Sequence, residues 1–580
     1  MEKRWRIAPV EAVERDRLAQ DLGIGPILAA LLLNRGMRSA AEAASFLEPK
    51  LTELHDPLLL PDMARAAARV EDAVRRKEPI AICGDYDVDG LSSTALLVEF
   101  FRLLGTEVRV HIPHRIDDGY GLRAEAVEKL ASEGIRLIVT VDNGSSAAEE
   151  IALAARRGID VVVTDHHEMG PVAPPAFALV NPKAPQSSYP FPHLAGVGVA
   201  FKLAWAVSMK FSRSRKLSPE FKDFMMEALA LAALGTIADV VPLLGENRVL
   251  ARHGLVALGR TARPGLKALV AYALRGRNER LSSEGVGFRI GPLINAAGRL
   301  GKAEQALRLL LARSEQEAQE LVAVLDGQNR KRQGIEEEIH RTAREKVHAE
   351  VDLRQERAIV LADPRWHAGV VGIVAARICE EFCRPTILIA LEGERGRGSG
   401  RSIRGVHLCD ALQGCREHLI GFGGHAHAVG VEIAAGKLDD FRRALNSSIV
   451  LPPSEMVPEV EIEAEVGLED LSAVLVREIS RLEPHGSGNR SPLLGARDLR
   501  LAGVPRVIGQ GGRHLSFFVR SGVNSARAPL ALKAIAFGRG GDLPSCLLAE
   551  SRFDLAFQPL INRWGGSEMV ELNVKDLHLA

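Results

Sequence analysis

The chain has 580 residues, 46% hydrophobic and 26% charged, which excludes a fibrous, disordered or collagen-like polymer and leaves material for about three or four packed domains. Its 74 basic side chains balance 74 acidic ones, so no global polycationic coat exists, although local patches can still bind a polyanion. The six cysteines (Cys83, Cys379, Cys383, Cys409, Cys415 and Cys546) form no C-x-x-C pair, and no secretory segment opens MEKRWRIAPVEAVERD; core thiols in a reduced, cytoplasmic compartment are expected.

Residues 1–50 read as helical and are expected to pack onto the first domain. A helix over 66–76 then leads into a repeating unit. Apolar strands are predicted at 80–83, 108–112, 137–141, 161–164 and 178–180, with helices at 91–104, 124–132 and 147–157 between them. That alternation specifies a parallel α/β sheet. In such sheets the functional residues collect beyond the carboxyl ends of the strands.

The rule gathers scattered acidic residues at one rim. The first strand ends in GDYDVDG, with Asp85, Asp87 and Asp89; the third ends in VDNG, with Asp142; the fourth ends in TDHH, with Asp165, His166 and His167. Any one of these is also what a solvated turn or a helix N-cap contains. Together they repel one another unless a cation neutralises them. Oxygen ligands in excess select Mg²⁺ or Mn²⁺, and an added imidazole favours Mn²⁺; structural zinc would want cysteines, and none lie here. Four or five carboxylates suit two ions about 4 Å apart, a spacing that clamps a phosphoryl group during in-line attack. Neither a Walker loop nor a serine triad is present.

Beyond Pro192 helices are predicted at 199–209, 222–238, 249–258 and 266–273. Within them LGTIADVVPL places Asp239 at an apolar helix end, where it is either a metal ligand or a terminal residue reaching water. The window 228–244 is broken by Gly235, Asp239 and Pro242 and is too short to span a bilayer. Residues 314–350 lack proline and read as a helix bridging two lobes, bent at Gly327 and Gly334. Its Asn329-Arg330-Lys331-Arg332 run reads as a solvated face, with phosphate contact as the alternative. A second α/β unit follows, with strands at 358–362, 386–391 and 429–433 and helices at 370–382 and 409–417. Its two glycine-rich segments, GERGRGSGRSIRG (393–405) and GFGGHAHAVG (421–430), are expected to be anion-binding loops, the first also fitting a mobile hairpin tip. After a Pro- and Glu-rich junction at 451–466, short strands at 513–519, 530–536 and 553–559 predict a small β-barrel. There alternation sends one of Phe517 and Phe518 inward and leaves the other to stack on a base, unless both are core.

DYDVDG, VDNG, TDHH and GTIADVVPL stand in the order of the four motifs of the DHH phosphoesterase superfamily, which the chain resembles. LHDPLLLPDM, DDGYGL, LAGVGVAFKL, INAAGRLG, WHAGVVGIVA, SGRSIRG, GFGGHAHAVG and EPHGSGNRSP extend the resemblance, from about Phe46 to Pro492, to the long single-strand-specific DNA exonucleases of that superfamily. The resemblance implies a parallel-sheet DHH domain with a helical subdomain (51–313), a long connecting helix (314–350), an α/β DHHA1 domain (351–451) and a β-barrel of the oligonucleotide-binding (OB) type (452–580). It implies 5′-to-3′ degradation of single-stranded DNA to mononucleotides in recombination and repair, with two Mn²⁺ or Mg²⁺ ions. By the same resemblance Asp85 and Asp87 serve one ion, Asp89, His166 and Asp239 the other, and Asp142 bridges them; His167 stands beside the scissile phosphate. Asn295, Arg299, Arg401, Ser402, Gly423, Gly424 and His425, with Ser92 and Ser93, are implied to touch the nucleic acid. Leu293 replaces an arginine of the pattern and Arg490 a proline, which puts one DNA contact and the shape of one loop in question. Implied partners are single-stranded DNA, a single-strand-binding protein and a RecQ-type helicase, for a monomer with no membrane association. Two other readings compete. DHH phosphodiesterases acting on short oligonucleotides or cyclic dinucleotides are shorter and lack a barrel. A non-catalytic DNA-binding scaffold would not keep every expected ligand.

Overall fold

In the computed structural model, residues 3–115, 119–170, 172–276, 280–522, 531–541, 551–564 and 567–579 are described. They form two units, Leu54–Val241 with Leu250–Val457, and Met1–Glu53 with Pro242–Val249 and Pro458–Ala580.

The larger unit begins with the expected parallel sheet. Its five strands lie in the order Val108–His111, Ile80–Cys83, Leu137–Val141, Asp160–Thr164 and Ala178–Val180, all parallel. Ile80–Cys83 and Leu137–Val141 are buried at every residue, which is why they read as unbroken apolar runs. The strand order reverses between these two neighbours, and that reversal opens a crevice at their carboxyl ends. Val88–Leu103, buried around nearly its whole circumference, packs against helices Gly196–Ser212 and Pro219–Ala238. A helix covered on nearly all sides needs apolar residues over most of its surface, and Leu91, Leu96, Leu97, Phe100 and Phe101 supply them here.

Glu315–Glu350 is one continuous helix of 36 residues, capped by the Ser314 side chain accepting from the Glu317 amide. The expected bends at Gly327 and Gly334 do not occur; both glycines face open space and the helical pattern runs through them. Nor is the Asn329–Arg332 run simply solvated. Asn329 and Arg332 are buried, with the Arg332 guanidinium on Asn329 Oδ1 and Glu336.

The second sheet holds five strands in the order Gly421–Gly424, Ala428–Ala434, Arg395–Arg401, Thr386–Glu392 and Ile359–Asp363, and only the last pair is parallel. Both glycine-rich segments are therefore largely strand rather than loop. In Arg395–Arg401 alternate residues are glycine because branched neighbours occupy the space a side chain would need: a Cβ on Gly398 would lie 2.7 Å from Ile389 Cγ1 and Val431 Cγ2. The arginines and Ser399 take the opposite face.

In the smaller unit, Leu494–Leu501 pairs with both Phe553–Trp564 and His514–Ser521. This closes a ring that also contains Leu532–Ala536 and Ser567–Leu579. Closure removes the exposed strand edges, and the barrel expectation holds. Phe517 is buried inside it and Phe518 is exposed, as alternation requires. The N-terminal segment, expected against the first domain, instead shares its core with this barrel: Leu28, Leu31, Leu32 and Phe46 cluster with Leu475, Leu494, Phe517 and Phe553. Arg4–Ile7 adds a parallel strand beside Glu459–Ile462. Helix Pro26–Asn34 is apolar nearly throughout and takes cover wherever an apolar partner surface exists, a choice that local pattern does not encode. The loop carrying Arg490 is held by the Asn489 amide on the Leu482 and Pro484 carbonyls. Only the Arg490 carbonyl takes part, accepting from Arg35, so no proline is needed there.

Cys83, Cys379, Cys383, Cys409 and Cys415 are free thiols, the first two and Cys415 buried; Cys546 lies outside the described residues. Among the described residues no helix is long and apolar enough to cross a membrane.

Candidate metal centre

The crevice at the strand reversal is where the acidic residues meet. Asp87 caps helix Val88–Leu103, its Oδ1 accepting from the Asp89 and Gly90 amides at 2.9 and 3.1 Å. Gly90 is dictated by the fold of this turn, since a Cβ there would lie 2.7 Å from the Asp85 Cβ. Asp142 adopts a left-handed backbone, φ +62°, a conformation aspartate tolerates better than most side chains. The Asp89 carboxylate takes the Gly196 and Val197 amides at 2.7 and 2.9 Å, at the start of helix Gly196–Ser212.

His166 Nε2 stands 3.2 Å from Asp142 Oδ1, 3.6 Å from Asp239 Oδ2 and 3.9 Å from Asp89 Oδ2. Three sets of donors converge, with ligand atoms of each set within 4.8 Å of one another: Asp85, Asp87 and Asp142; Asp89, His166 and Asp239; and Asp142, His166 and His167. Asp85 Oδ1, Asp142 Oδ1, His166 Nε2 and Asp239 Oδ2 are all buried with no hydrogen-bond partner. Leaving four such atoms bare costs several kcal/mol at about 1–3 kcal/mol each. A hard divalent cation satisfies all of them, and the oxygen-rich donor set with one imidazole fits Mg²⁺ or Mn²⁺.

The electrostatics agree. Burial first, and neighbouring carboxylates second, push Asp85, Asp142 and Asp239 well above the usual carboxylate range and Asp89 up to about 7. Burial, then the nearby His167 charge, lowers His166 to about 3, so the ring is a neutral donor. Cationic charge in the cluster reverses the preference of the acids for their protons.

Asp165 occupies a layer beneath. It accepts from the amides of His166 (2.7 Å), His167 (3.1 Å) and Ser145 (2.9 Å), and lies 2.9 Å from His167 Nδ1. Burial alone would raise its pKa, but the hydrogen bond and charge of His167 hold it well below the ordinary value. In return Asp165 overcomes the burial of His167 and raises the imidazole pKa. The Tyr120 hydroxyl donates to the Asp142 carbonyl at 2.8 Å and lies 2.9 Å from His167 Nδ1. The Asn143 side chain bonds the Cys83 and Val141 carbonyls, tying the two strand ends together. Sequence reasoning placed Asp165 at the rim without giving it this role, and singled out neither Tyr120 nor Asn143. Tyr120 stood in the recognised segment DDGYGL, and Asp165 in TDHH.

Beside the acids lies a group of guanidiniums. Arg299 is lowered to about 10, first by burial and then by the charges of Arg115, Arg332 and Arg401; Arg401 is lowered by burial and by Arg115. Arg115 lies over the Tyr86 ring at 4.8 Å. Mutual repulsion among buried cations is the signature of a place prepared for an anion. Arg115 was missed although it follows the second strand, Val108–His111, at the same rim as the other residues.

Several expected nucleic-acid contacts are placed otherwise. Ser92 and Ser93 are fully buried, their hydroxyls without partners, and are not open to an incoming strand. Ser402 spends its amide on the His427 carbonyl and its hydroxyl on the Val406 carbonyl. Asn295 Oδ1 accepts from the Val88 amide, so it braces the Asp87 turn. Arg299 donates to the Gly369 carbonyl at 3.0 Å, linking the two sheet-bearing halves of the unit. Gly423, Gly424 and His425 are exposed at the hairpin, with the His425 amide bonded to the Ala428 carbonyl. Leu293 is completely buried and makes no solvent-facing contact, so in this chain that position belongs to the core.

Three family models match this chain: the DHH family N-terminal domain over residues 79–236, the DHHA1 domain over 355–450 and the RecJ OB domain over 462–576. The single-stranded-DNA-specific exonuclease RecJ of Bacillus subtilis (strain 168) is 37% identical over 577 residues, covering 99% of this chain and 70% of its own length. RecJ of Salmonella typhimurium is 35% identical over 597 residues, covering all of both chains. Among solved structures, RecJ of Thermus thermophilus in complex with Mn²⁺ superposes with a TM-score of 0.83 at 34% identity, over 99% of this chain and 79% of that one. The same protein with Mg²⁺ gives a TM-score of 0.76.

Proposed function

The chain belongs to the RecJ family of single-stranded-DNA-specific exonucleases, and from that premise we propose how its own residues carry out the reaction. The protein is a metal-dependent nuclease that acts on single-stranded DNA. The observation that carries the reading is the set of four buried, partnerless donor atoms in the crevice.

In this proposal Asp85 and Asp87 would hold one cation and Asp89, His166 and Asp239 a second, with Asp142 available to both. When bound, the two Mn²⁺ or Mg²⁺ ions supply the Lewis-acid charge that activates water and offsets charge developing on the phosphate. The left-handed backbone at Asp142 and its clamp by Tyr120 keep that carboxylate aimed into the crevice. His167, its pKa raised by Asp165 against the effect of burial, keeps Nδ1 engaged and offers Nε2 to the phosphate or the departing oxygen. Arg115, Arg299 and Arg401 receive the phosphate of the strand terminus, and Gly423, Gly424 and His425 line its approach.

The strand is cut from its 5′ end and leaves as mononucleotides, in recombination and repair. The reading extends to a cytoplasmic monomer meeting a single-strand-binding protein and a RecQ-type helicase on the same DNA. The N-terminal residues 1–50 and the barrel from 452 act as one DNA-binding unit, while 51–313, 314–350 and 351–451 form the catalytic one. The test is digestion of one oligonucleotide labelled at either end, with Mn²⁺ present. A 5′ label should appear at once as mononucleotide, a 3′ label should persist on shortening strands, and blunt duplex should survive. Asp142→Ala should lower the rate by at least about a thousandfold without unfolding the protein. Immediate release of the 3′ label, or full activity in that variant, defeats the reading.

A further inference from the structure

Three carboxylates in and beneath the centre are held by backbone amides: Asp87 by those of Asp89 and Gly90, Asp89 by those of Gly196 and Val197, and Asp165 by those of Ser145, His166 and His167. Asp142 Oδ1 and Asp239 Oδ2 are buried atoms that accept no hydrogen bond among the described residues. A carboxylate that nothing holds turns about its own bonds, so something else must point these two at the cations. Asp142 has its own left-handed backbone, φ +62°. Asp239 has φ −75°, and the left-handed residue is the next one, Val240, at φ +64°.

Valine is an uncommon choice for that turn. It follows helix Pro219–Ala238 and its cap Asp239, at the position where helices usually take glycine to turn left-handed. A branched Cβ is crowded there. Among the described non-glycine residues with a left-handed backbone, Val240 alone is β-branched. Its isopropyl group is 68% exposed, so packing does not offset the strain. Strain of this kind persists where neighbouring structure imposes it, and it collects at functional sites. Here both sides impose it. One turn before, the helix is wedged: a Cβ on Gly235 would lie 2.5 Å from Asp89 Oδ1 and 2.8 Å from Val197 Cγ1, and the Asp239 amide donates to the Gly235 carbonyl at 2.9 Å. One residue after, Val241 precedes Pro242, which denies it the α region.

We propose that Val240 is a positioning residue for the metal centre: its stiff left-handed turn, in place of a hydrogen bond, aims the Asp239 carboxylate at the cation shared with Asp89 and His166. Glycine would make the same turn without strain, but it moves readily between left- and right-handed backbone, and Asp239 would move with it. Valine, once forced into the turn, has few conformations left, since a β-branched side chain is stiff about χ1. Orienting the carboxylate through the backbone also leaves its oxygen lone pairs to the ion, where an amide donor would take one up. His166 Nε2, 3.6 Å from Asp239 Oδ2, offers the partner ligand. The inference rests on the two-cation reading above.

The test measures Mn²⁺ binding by electron paramagnetic resonance, together with the thermal midpoint in chelator, for the parent protein, Val240→Gly and Val240→Ile. Val240→Gly should raise the Kd of one of the two ions by roughly 10- to 100-fold. It should do so without lowering the midpoint in chelator, because the turn it replaces was strained. Val240→Ile keeps the branch, has solvent around its added methyl group, and should retain the parental Kd. Cleavage of (dT)20 by Val240→Gly should fall at low Mn²⁺ and recover as Mn²⁺ is raised, which neither damaged folding nor a lost DNA contact would produce. An unchanged Mn²⁺ Kd in Val240→Gly overturns the inference, whether the midpoint falls (a packing residue) or KM for the strand rises (a substrate contact). Val240→Ile losing affinity as far as Val240→Gly overturns it too. If the parent protein itself binds no Mn²⁺, the two-cation reading fails, and the inference with it.

Discussion

At the scale of single residues, the two histidines of TDHH are set apart by what lies behind them. His166 is buried among acids and kept neutral, a donor; His167 leans on Asp165, which raises its pKa against the effect of burial. The difference predicts the phenotype of Asp165→Asn. Without the carboxylate the His167 pKa falls, so the alkaline limb of the kcat–pH profile should move to lower pH, with kcat at neutral pH down by about 10²- to 10⁴-fold. An unshifted profile would show that the charge of His167 is not used. Asp142, Asp239 and His166 were readable from motif positions alone. The supporting roles of Asp165, Tyr120 and Asn143 were not, because their work is to hold other groups and no residue pattern announces a second layer. Ser92 and Ser93 were misplaced for a related reason: a position one turn into a helix says nothing of which neighbours cover it.

At the scale of elements, the central parallel strands Ile80–Cys83 and Leu137–Val141 were legible to the residue, because strands buried on both faces must be apolar throughout. The segment GERGRGSGR misled in the opposite sense. Glycines usually mark flexible loops, yet here Gly396, Gly398 and Gly400 alternate with Arg395, Arg397, Ser399 and Arg401, the two-residue period of a strand. Their side of the sheet is filled by Ile387, Ile389, Val429 and Val431. Gly398→Val should therefore destabilise the protein by several kcal/mol through overpacking, lowering the thermal midpoint, whereas Arg397→Val on the exposed side should cost little. Equal midpoints for the two variants would contradict this packing.

At the scale of the whole molecule, the carboxylates crowded in the crevice store unfavourable charge. Asp89, near pKa 7 when folded, has an ordinary value of about 3.9 when unfolded. The folded state then binds more protons than the unfolded one between these values. The stability this group contributes is full below about pH 4 and is lost as pH rises through about 7. Mn²⁺ replaces those protons. Its effect on the thermal midpoint, measured against a chelated control, should be several degrees larger at pH 8 than at pH 5. A shift that is greater at pH 5 would remove the carboxylate cluster as the ion's site.

By itself the sequence determined the sheet, its acidic rim, the long helix, the barrel and the motif residues, because hydrophobic period and strand-end position are local properties of a chain. Only the tertiary structure decided three things. It set the N-terminal helices into the barrel's core, joined Arg115 to Arg299 and Arg401 across long stretches of sequence, and closed Ser92 and Ser93 off from an incoming strand. Each depends on which distant surface closes over a residue, and burial between remote segments leaves no periodic trace in either of them.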